Sequence, residues 1–396
     1  MERIRSSPPS VAAWSLPDLA RAAIEARSKG RAGPPDDPHS RPAAQPACSN
    51  SSSGGPDVPE SLDTQPVSAE PLWRLGTAYF SRKVTLTAAE LGVFTVLADG
   101  PLTAEQLRIR LELHPRGVPD FLDALVALGM LERDGDRYRN TPLSDHFLNE
   151  KRPSYVGAFL SAADARWDRL ADALRTGEPQ NRWGAGPQMF TEQYRTTAAW
   201  RNFTAGMDYL NGMIGPPVAE AFDWTSVDSV VDVGGARGNL VAALLRRHPH
   251  LKAGVFDLPG VEPVFIEHMT QLGIADRVTF HAGDFFTVPM PAADVLILSH
   301  VLHDWALQER QALVSRAFDA LAPGGRLMVI DPMIDDDRRG TAGALLTSLN
   351  MLMVTPHGAE YTAAEARDWL TEAGFTGITA VPIGVHNTLL SGVRPA

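Results

Sequence analysis

A run of β-branched residues, Val230-Val231-Asp232-Val233, breaks into the loop Gly234-Gly235-Ala236-Arg237-Gly238 and passes at once into a helix-like segment, Asn239 to Arg247. Strand, glycine turn and helix open a parallel α/β sheet. Glycine allows the sharp turn, and the helix start offers unpaired N–H groups to whatever binds beside it. The next apolar run, Val255-Phe256-Asp257-Leu258, carries a carboxylate placed to accept hydrogen bonds from two ribose hydroxyls. Together these features mark a nucleotide-type cofactor site. The dinucleotide fingerprint would need glycines where Ala236 and Asn239 stand. Asp232, two residues ahead of the glycines, instead suits a cofactor with a cationic amino-acid end. The pattern fits S-adenosylmethionine and not a nicotinamide.

A chain of 396 residues, 44% of them hydrophobic, can bury two cores. Its net charge of −11 argues against a nucleic-acid partner, because gripping phosphates needs basic surface. The single cysteine, Cys48, leaves no internal disulfide and agrees with a reducing cytoplasm. No apolar run reaches the length of a membrane span, and Val11-Ala12-Ala13-Trp14 is cut short by Ser15 and Pro17, so no secretion signal is expected. The expected setting is cytoplasmic, with a small-molecule substrate and neither nucleic acid nor membrane as partner.

Residues 1–66 are rich in Pro, Ser and Gly, as in Pro34-Pro35-Asp36-Asp37-Pro38, and are expected to form a disordered tail. Residues 67–150 read as helices over Leu72 to Leu91, Thr95 to Ala98, a helix from Ala104 capped by Thr103, and Val118 to Leu128. A hairpin turning at Asp134-Gly135 follows. Helices followed by a hairpin make a winged-helix arrangement. The segment that would read DNA has little positive charge, Arg116 being the nearest, so a dimerisation domain and a homodimer are expected. Residues 151–224 read as a helical linker whose aromatic residues contribute to a substrate pocket. Residues 225–396 alternate strand and helix, with strands ending near Gly234, Asp257, Gly283, Ser299 and Asp331. Ile378 to Ile383 and Thr388 to Val393 close the pattern as an antiparallel pair. The fold class is α/β, a Rossmann-like doubly wound sheet whose ligands bind at the carboxyl ends of the strands.

Val231-Asp232-Val233-Gly234-Gly235, Phe256-Asp257-Leu258-Pro259, Gly283-Asp284-Phe285, Val301-Leu302-His303-Asp304-Trp305 and Gly358-Ala359-Glu360-Tyr361-Thr362 occur in that order. Over residues 70–396 the chain resembles the class I S-adenosylmethionine-dependent methyltransferases of the plant caffeate and bacterial polyketide O-methyltransferase type. The resemblance implies that Gly234 contacts the methionine end of the cofactor and Asp257 the ribose, with Asp232 and Leu258 as further candidate cofactor residues. Asp284 and Phe285 would frame the adenine, and Ser299 stands where many plant members have a lysine. His303 is the implied base, helped by acidic residues aligned with Glu360 and Asp331, with Asp304 beside it. A neutral imidazole suits that work near physiological pH.

The loop Thr355-Pro356-His357-Gly358 carries a histidine where the family usually has glycine. If that loop reaches the strand end, His303, Asp304 and His357 form a two-histidine, one-carboxylate set suited to non-haem iron. Trp167 would add an apolar wall, and Arg195 a bidentate partner for a substrate carboxylate. This combination is similar to the 2-oxo-acid C-methyltransferases, in which the substrate chelates iron. The finer expectation is therefore metal-assisted C-methylation at C3 of a phenylpyruvate-like acid. The alternative is O-methylation of a phenolic or polyketide hydroxyl, which needs His303 and has no use for His357. A ligand-sensing winged-helix regulator, and reuse of the fold without methyl transfer, are the remaining alternatives.

Overall fold

The computed structural model describes residues 67–180, 196–340 and 342–396. Chain order in the N-terminal part is α1 (Glu70–Glu90), α2 (Val93–Leu97), β1 (Leu102–Thr103), α3 (Ala104–Arg110), α4 (Val118–Ala127), β2 (Leu131–Asp134), β3 (Arg137–Asn140) and α5 (Pro142–Leu148). Local chemistry fixes these boundaries. The Thr103 hydroxyl accepts from the Gln106 N–H while the Gln106 side chain accepts from the Thr103 N–H, a capping box that starts α3. Gly135 takes the left-handed conformation, φ 60°, that the β2–β3 turn requires. One element escapes the sequence reading. The two residues before α3 pair antiparallel with β3, Leu102 opposite Tyr138, and make a three-stranded wing. Phe94, Leu107, Leu122, Leu125, Leu131 and Tyr138 form its core. Outside it, α1 leaves Leu72, Trp73, Leu75, Tyr79 and Phe80 exposed in the single chain.

Helices α6 (Gly157–Trp167), α7 (Leu170–Thr176) and α8 (Thr197–Glu220) follow. The α/β part then runs β4 (Ser229–Val233), α9 (Asn239–Arg247), β5 (Lys252–Asp257), α10 (Glu262–Gln271), β6 (Val278–Ala282), β7 (Val295–Ser299), a 3₁₀ turn at Leu302–Asp304, α11 (Leu307–Ala320), β8 (Arg326–Asp331), α12 (Ala342–Val354), α13 (Ala363–Glu372), β9 (Thr376–Ile383) and β10 (Asn387–Val393). Strand order is β6-β5-β4-β7-β8-β10-β9, with β6 to β8 parallel and β10 antiparallel to both its neighbours.

The strands read as unbroken apolar runs because both faces are buried. Val230, Val255, Ile297 and Ile330 pack against Ile214, Val218, Leu240 and Leu244 of α8 and α9. Val231, Val233, Leu298 and Val329 pack on the other face against Leu313, Ala317 and Leu370 of α11 and α13. Strand order reverses between the parallel neighbours β4 and β7, the usual place for a ligand crevice in an open sheet. No helix among the described residues is long and apolar enough to cross a membrane.

Candidate active site

Two groups of residues converge on the carboxyl ends of β4, β5, β7 and β8. The first is the glycine loop. Gly234 has φ 74°, and a Cβ there would stand 2.7 Å from Val301 Cγ2, so only glycine keeps this backbone bare. Ala236 also adopts a left-handed conformation, φ 50°, and its N–H donates to Asp257 Oδ2 at 2.8 Å. The Leu258 N–H donates to Asp257 Oδ1 at 2.7 Å, so backbone on both sides holds the carboxylate at the end of β5. Burial still pushes the Asp257 carboxyl up to about 6, against those two hydrogen bonds.

Asp232 is the more revealing acid. It is only 1% exposed, its Oδ1 has no hydrogen-bond partner among the described residues, and it lies in the otherwise apolar face of β4. Burial, then the Asp257 carboxylate, raises its pKa to about 8. A buried, unpaired carboxylate is costly unless a cation meets it. The ammonium of an amino-acid end is such a cation, and the bare glycine backbone and tethered Asp257 suit the rest of S-adenosylmethionine. The residues present fit that cofactor. Asp284, which follows β6, accepts from the Phe286 N–H at 2.9 Å. Beside it Phe285 packs edge-on against Phe286 and Trp305. Ser299 is buried at the end of β7, its hydroxyl 3.3 Å from His300 Nδ1.

The second group surrounds His303. Its Nδ1 lies 2.7 Å from Glu360 Oε1 and 3.7 Å from Asp331 Oδ1, while Nε2 lies 3.9 Å from Asp304 Oδ1. Burial alone would push the imidazole down. The carboxylates outweigh it, Glu360 most, and raise His303 to about 10. Asp331 is pushed up to about 7 by burial, against His303, and Asp304 to about 6 for the same reason. The Tyr361 hydroxyl donates to Asp331 Oδ2 at 2.5 Å. Glu360 Oε2 and Asp331 Oδ1 are buried without hydrogen-bond partners among the described residues. The cluster thus holds an imidazole tied at one nitrogen, a free second nitrogen, and an excess of negative charge.

The expected metal set does not form. The loop does approach the base, with the Ala359 N–H donating to the His303 carbonyl at 2.9 Å. His357 nevertheless turns outward and is exposed, while His303 commits Nδ1 to Glu360. Among the described residues no group of three His, Cys, Asp or Glu side chains could hold a metal ion. Trp167 lines a cavity of about 430 Å³ with Tyr79, Arg82, Lys83, Ala163 and Asp168, none of them from the His303 cluster. Arg195 lies outside the described residues.

Sequence reading missed three groups. His300 is buried at φ 54°, its ring 5.7 Å from that of His303, and burial lowers it to about 3. Arg237 of the glycine loop makes a buried ion pair with Asp208 of α8, near His268 of α10. Arg310 is buried on α11. The signal for the last two was helical spacing: Asp208 falls in register with Thr204, Asn211 and Gly215, and Arg310 with Leu313, Val314 and Ala317.

Comparison with known proteins bears on the whole described chain. A family model for the O-methyltransferase domain matches residues 167–376, and one for the O-methyltransferase dimerisation domain matches residues 73–150. The tetracenomycin polyketide synthesis 8-O-methyl transferase of Streptomyces glaucescens is 49% identical over 327 residues, covering 81% of this chain and 96% of that protein. An N,N-dimethyltransferase of Streptomyces rimosus is 39% identical over 313 residues, covering 78% of this chain and 90% of its own. Among solved structures, human N-acetylserotonin methyltransferase in complex with S-adenosylmethionine superposes with a TM-score of 0.74 at 30% identity, covering 86% of this chain and all of that one.

Proposed function

This chain belongs to the O-methyltransferase family and is an S-adenosylmethionine-dependent methyltransferase, and from that premise we propose that it methylates a phenolic hydroxyl of a polyketide, with His303 as general base. The observation that carries the reading is the His303–Glu360 bond of 2.7 Å at Nδ1, which leaves Nε2 for the acceptor hydroxyl. Asp232, Gly234 and Asp257 would hold the cofactor, with Leu258, Asp284, Phe285 and Ser299 around it. When bound, the cofactor supplies a methyl group on a sulfonium, an electrophile for an oxygen nucleophile.

The residues' part is proton management. Burial opposes charge on His303, but the neighbouring carboxylates, Glu360 first, outweigh it and raise the proton affinity of the imidazole. The neutral form of that ring is the one that takes the hydroxyl's proton at Nε2. The imidazolium it forms is the species that Glu360, Asp331 and Asp304 favour. Glu360 orients the ring, and burial keeps water from competing for Nε2.

Metal-assisted C-methylation loses its motive with the absent facial set. The regulator reading gives way to the family match, because the wing belongs to the dimerisation model. The exposed apolar row on α1 supports a homodimer in which a second copy covers it. The test is product analysis with carbon-13 methyl-labelled cofactor, offering 3-hydroxy-5-methyl-1-naphthoate, a hydroxyanthraquinone and phenylpyruvate. The label is expected on phenolic oxygen, with His357→Gly as active as wild type. Label on C3 of phenylpyruvate, lost in that variant, would overturn the proposal.

A further inference from the structure

Arg310 is 6% exposed and sits on the face of α11 that packs into the core. Burying a cation is costly, so what it touches is informative. Its Nε donates to the Trp305 carbonyl at 2.7 Å and its Nη2 to the Ala359 carbonyl at 2.6 Å. The guanidinium lies over the rings of Tyr361, 4.9 Å away, and Trp369, 5.7 Å away. These contacts are carbonyls and aromatic faces rather than carboxylates.

The two carbonyls belong to the two segments that make the base. Trp305 ends the turn bearing His303 and Asp304, and Ala359 immediately precedes Glu360. Those segments are 57 residues apart in the chain and meet in the 2.7 Å His303–Glu360 bond. One planar fork with two fixed donors therefore spans both sides of that bond. A lysine would offer a compact ammonium on a flexible stem in place of that rigid pair of donors. The rings of Tyr361 and Trp369 lie against the guanidinium, and Tyr361 in turn holds Asp331.

We propose that Arg310 is a positioning residue that clamps the His303 turn to the Glu360 segment and so fixes the base's hydrogen bond and proton affinity. The proposal rests on the reading of His303 as the base. Losing the fork lets Glu360 drift from Nδ1, and the imidazole falls back from its raised value. Around that ring stand Asp304, Asp331, Glu360, Tyr361 and the neutral His300; Arg310→Met also removes the guanidinium charge that favours the Asp304 carboxylate, whereas Arg310→Lys keeps a cation there.

The experiment uses the full chain as wild type, Arg310→Met and Arg310→Lys. Histidines labelled at Cε1 are titrated by NMR, His303 being identified by the signal missing in His303→Gln. Rates are taken with S-adenosylmethionine and 3-hydroxy-5-methyl-1-naphthoate. In both variants the His303 titration should fall by a pH unit or more. The kcat should drop by about ten- to a hundredfold, with KM for the cofactor within about twofold, as expected for a misplaced catalytic group. Folded variants whose His303 titrates as in wild type overturn the clamp. If Arg310→Met fails to fold, Arg310→Lys, which keeps the stem and the charge, decides alone. A wild type that gives no methylated naphthoate counts against the proposed acceptor, while the NMR titration still decides the clamp.

Discussion

Replacing Asp232 by asparagine should make the cofactor-free protein more stable and the cofactor complex weaker. In the unfolded chain this carboxyl ionises near 3.8, while in the fold it keeps its proton to about 8. At pH 7 folding must therefore return a proton to a group that has released it in the unfolded chain. At about 1.4 kcal/mol per pH unit, the interval from 3.8 to 7 costs about 4 kcal/mol. Asparagine removes that cost but leaves a buried amide, which takes back about 1–3 kcal/mol. The net gain is about 1–3 kcal/mol, a rise of several degrees in melting temperature.

The sign with pH is fixed. Between about 4 and 8 the native state holds the extra proton, so this group's contribution to wild-type stability falls as pH rises. The advantage of Asp232→Asn should thus be absent below pH 4, grow through neutrality and level off above 8. Subtracting the two curves cancels Asp304, Asp331 and His303, which titrate in both proteins, and leaves Asp232 with the Asp257 carboxylate coupled to it. S-Adenosylhomocysteine carries the same amino-acid end. Its affinity for wild type should rise with pH as Asp232 ionises, and should fall about ten- to a hundredfold in the variant, the weight of a charge-assisted hydrogen bond. Thermal melts from pH 4 to 8.5 and calorimetric titration read both effects. A variant that melts lower than wild type at every pH, or binds the ligand equally well, would refute the reasoning.

Glu360→Gln removes the largest of the influences that raise His303. The pH at which kcat/KM climbs should shift down from near 10 toward the ordinary histidine range, with a lower plateau because the ring is less well oriented. An unmoved pH–rate profile would separate Glu360 from the base. Ala236→Gly places the permissive residue at φ 50°, relieving about 1 kcal/mol of left-handed strain against a similar entropic loss. Melting should show no destabilisation, and a loss of more than about 1 kcal/mol would mean that Ala236 Cβ makes a contact worth more than the strain.

Much of this architecture was legible in the sequence, and particular residues show why. The helix Asn239–Arg247 and all five parallel strand ends follow from apolar runs closed by glycine or a polar residue, a signal both local and strong. The strand at Leu102–Thr103 did not, because two residues carry no periodicity and only β3 makes them a strand. In the site, Asp257 and His303 could be read because the motif places each at a strand end. The exposure of His357 could not. The loop does come to the His303 carbonyl, but it approaches with bare backbone, since a Cβ at Gly358 would lie 2.6 Å from the His303 carbonyl oxygen, and His357 stays exposed. Arg310 was hidden for a related reason. A charged residue at core spacing declares that it is buried but not what it binds, and its acceptors are backbone carbonyls that no side-chain pattern reveals.

The central claim is that His303 removes a proton from an oxygen acceptor at a site whose cofactor is held elsewhere. Its most direct test compares wild type with His303→Gln in calorimetric binding of S-adenosylhomocysteine and in transfer of labelled methyl to a phenolic acceptor. The variant should bind the ligand within about twofold of wild type yet transfer methyl about 10²–10⁴ times more slowly, the contribution of a general base. A variant that transfers methyl at the wild-type rate, or a wild type that places the label on carbon, would contradict the claim.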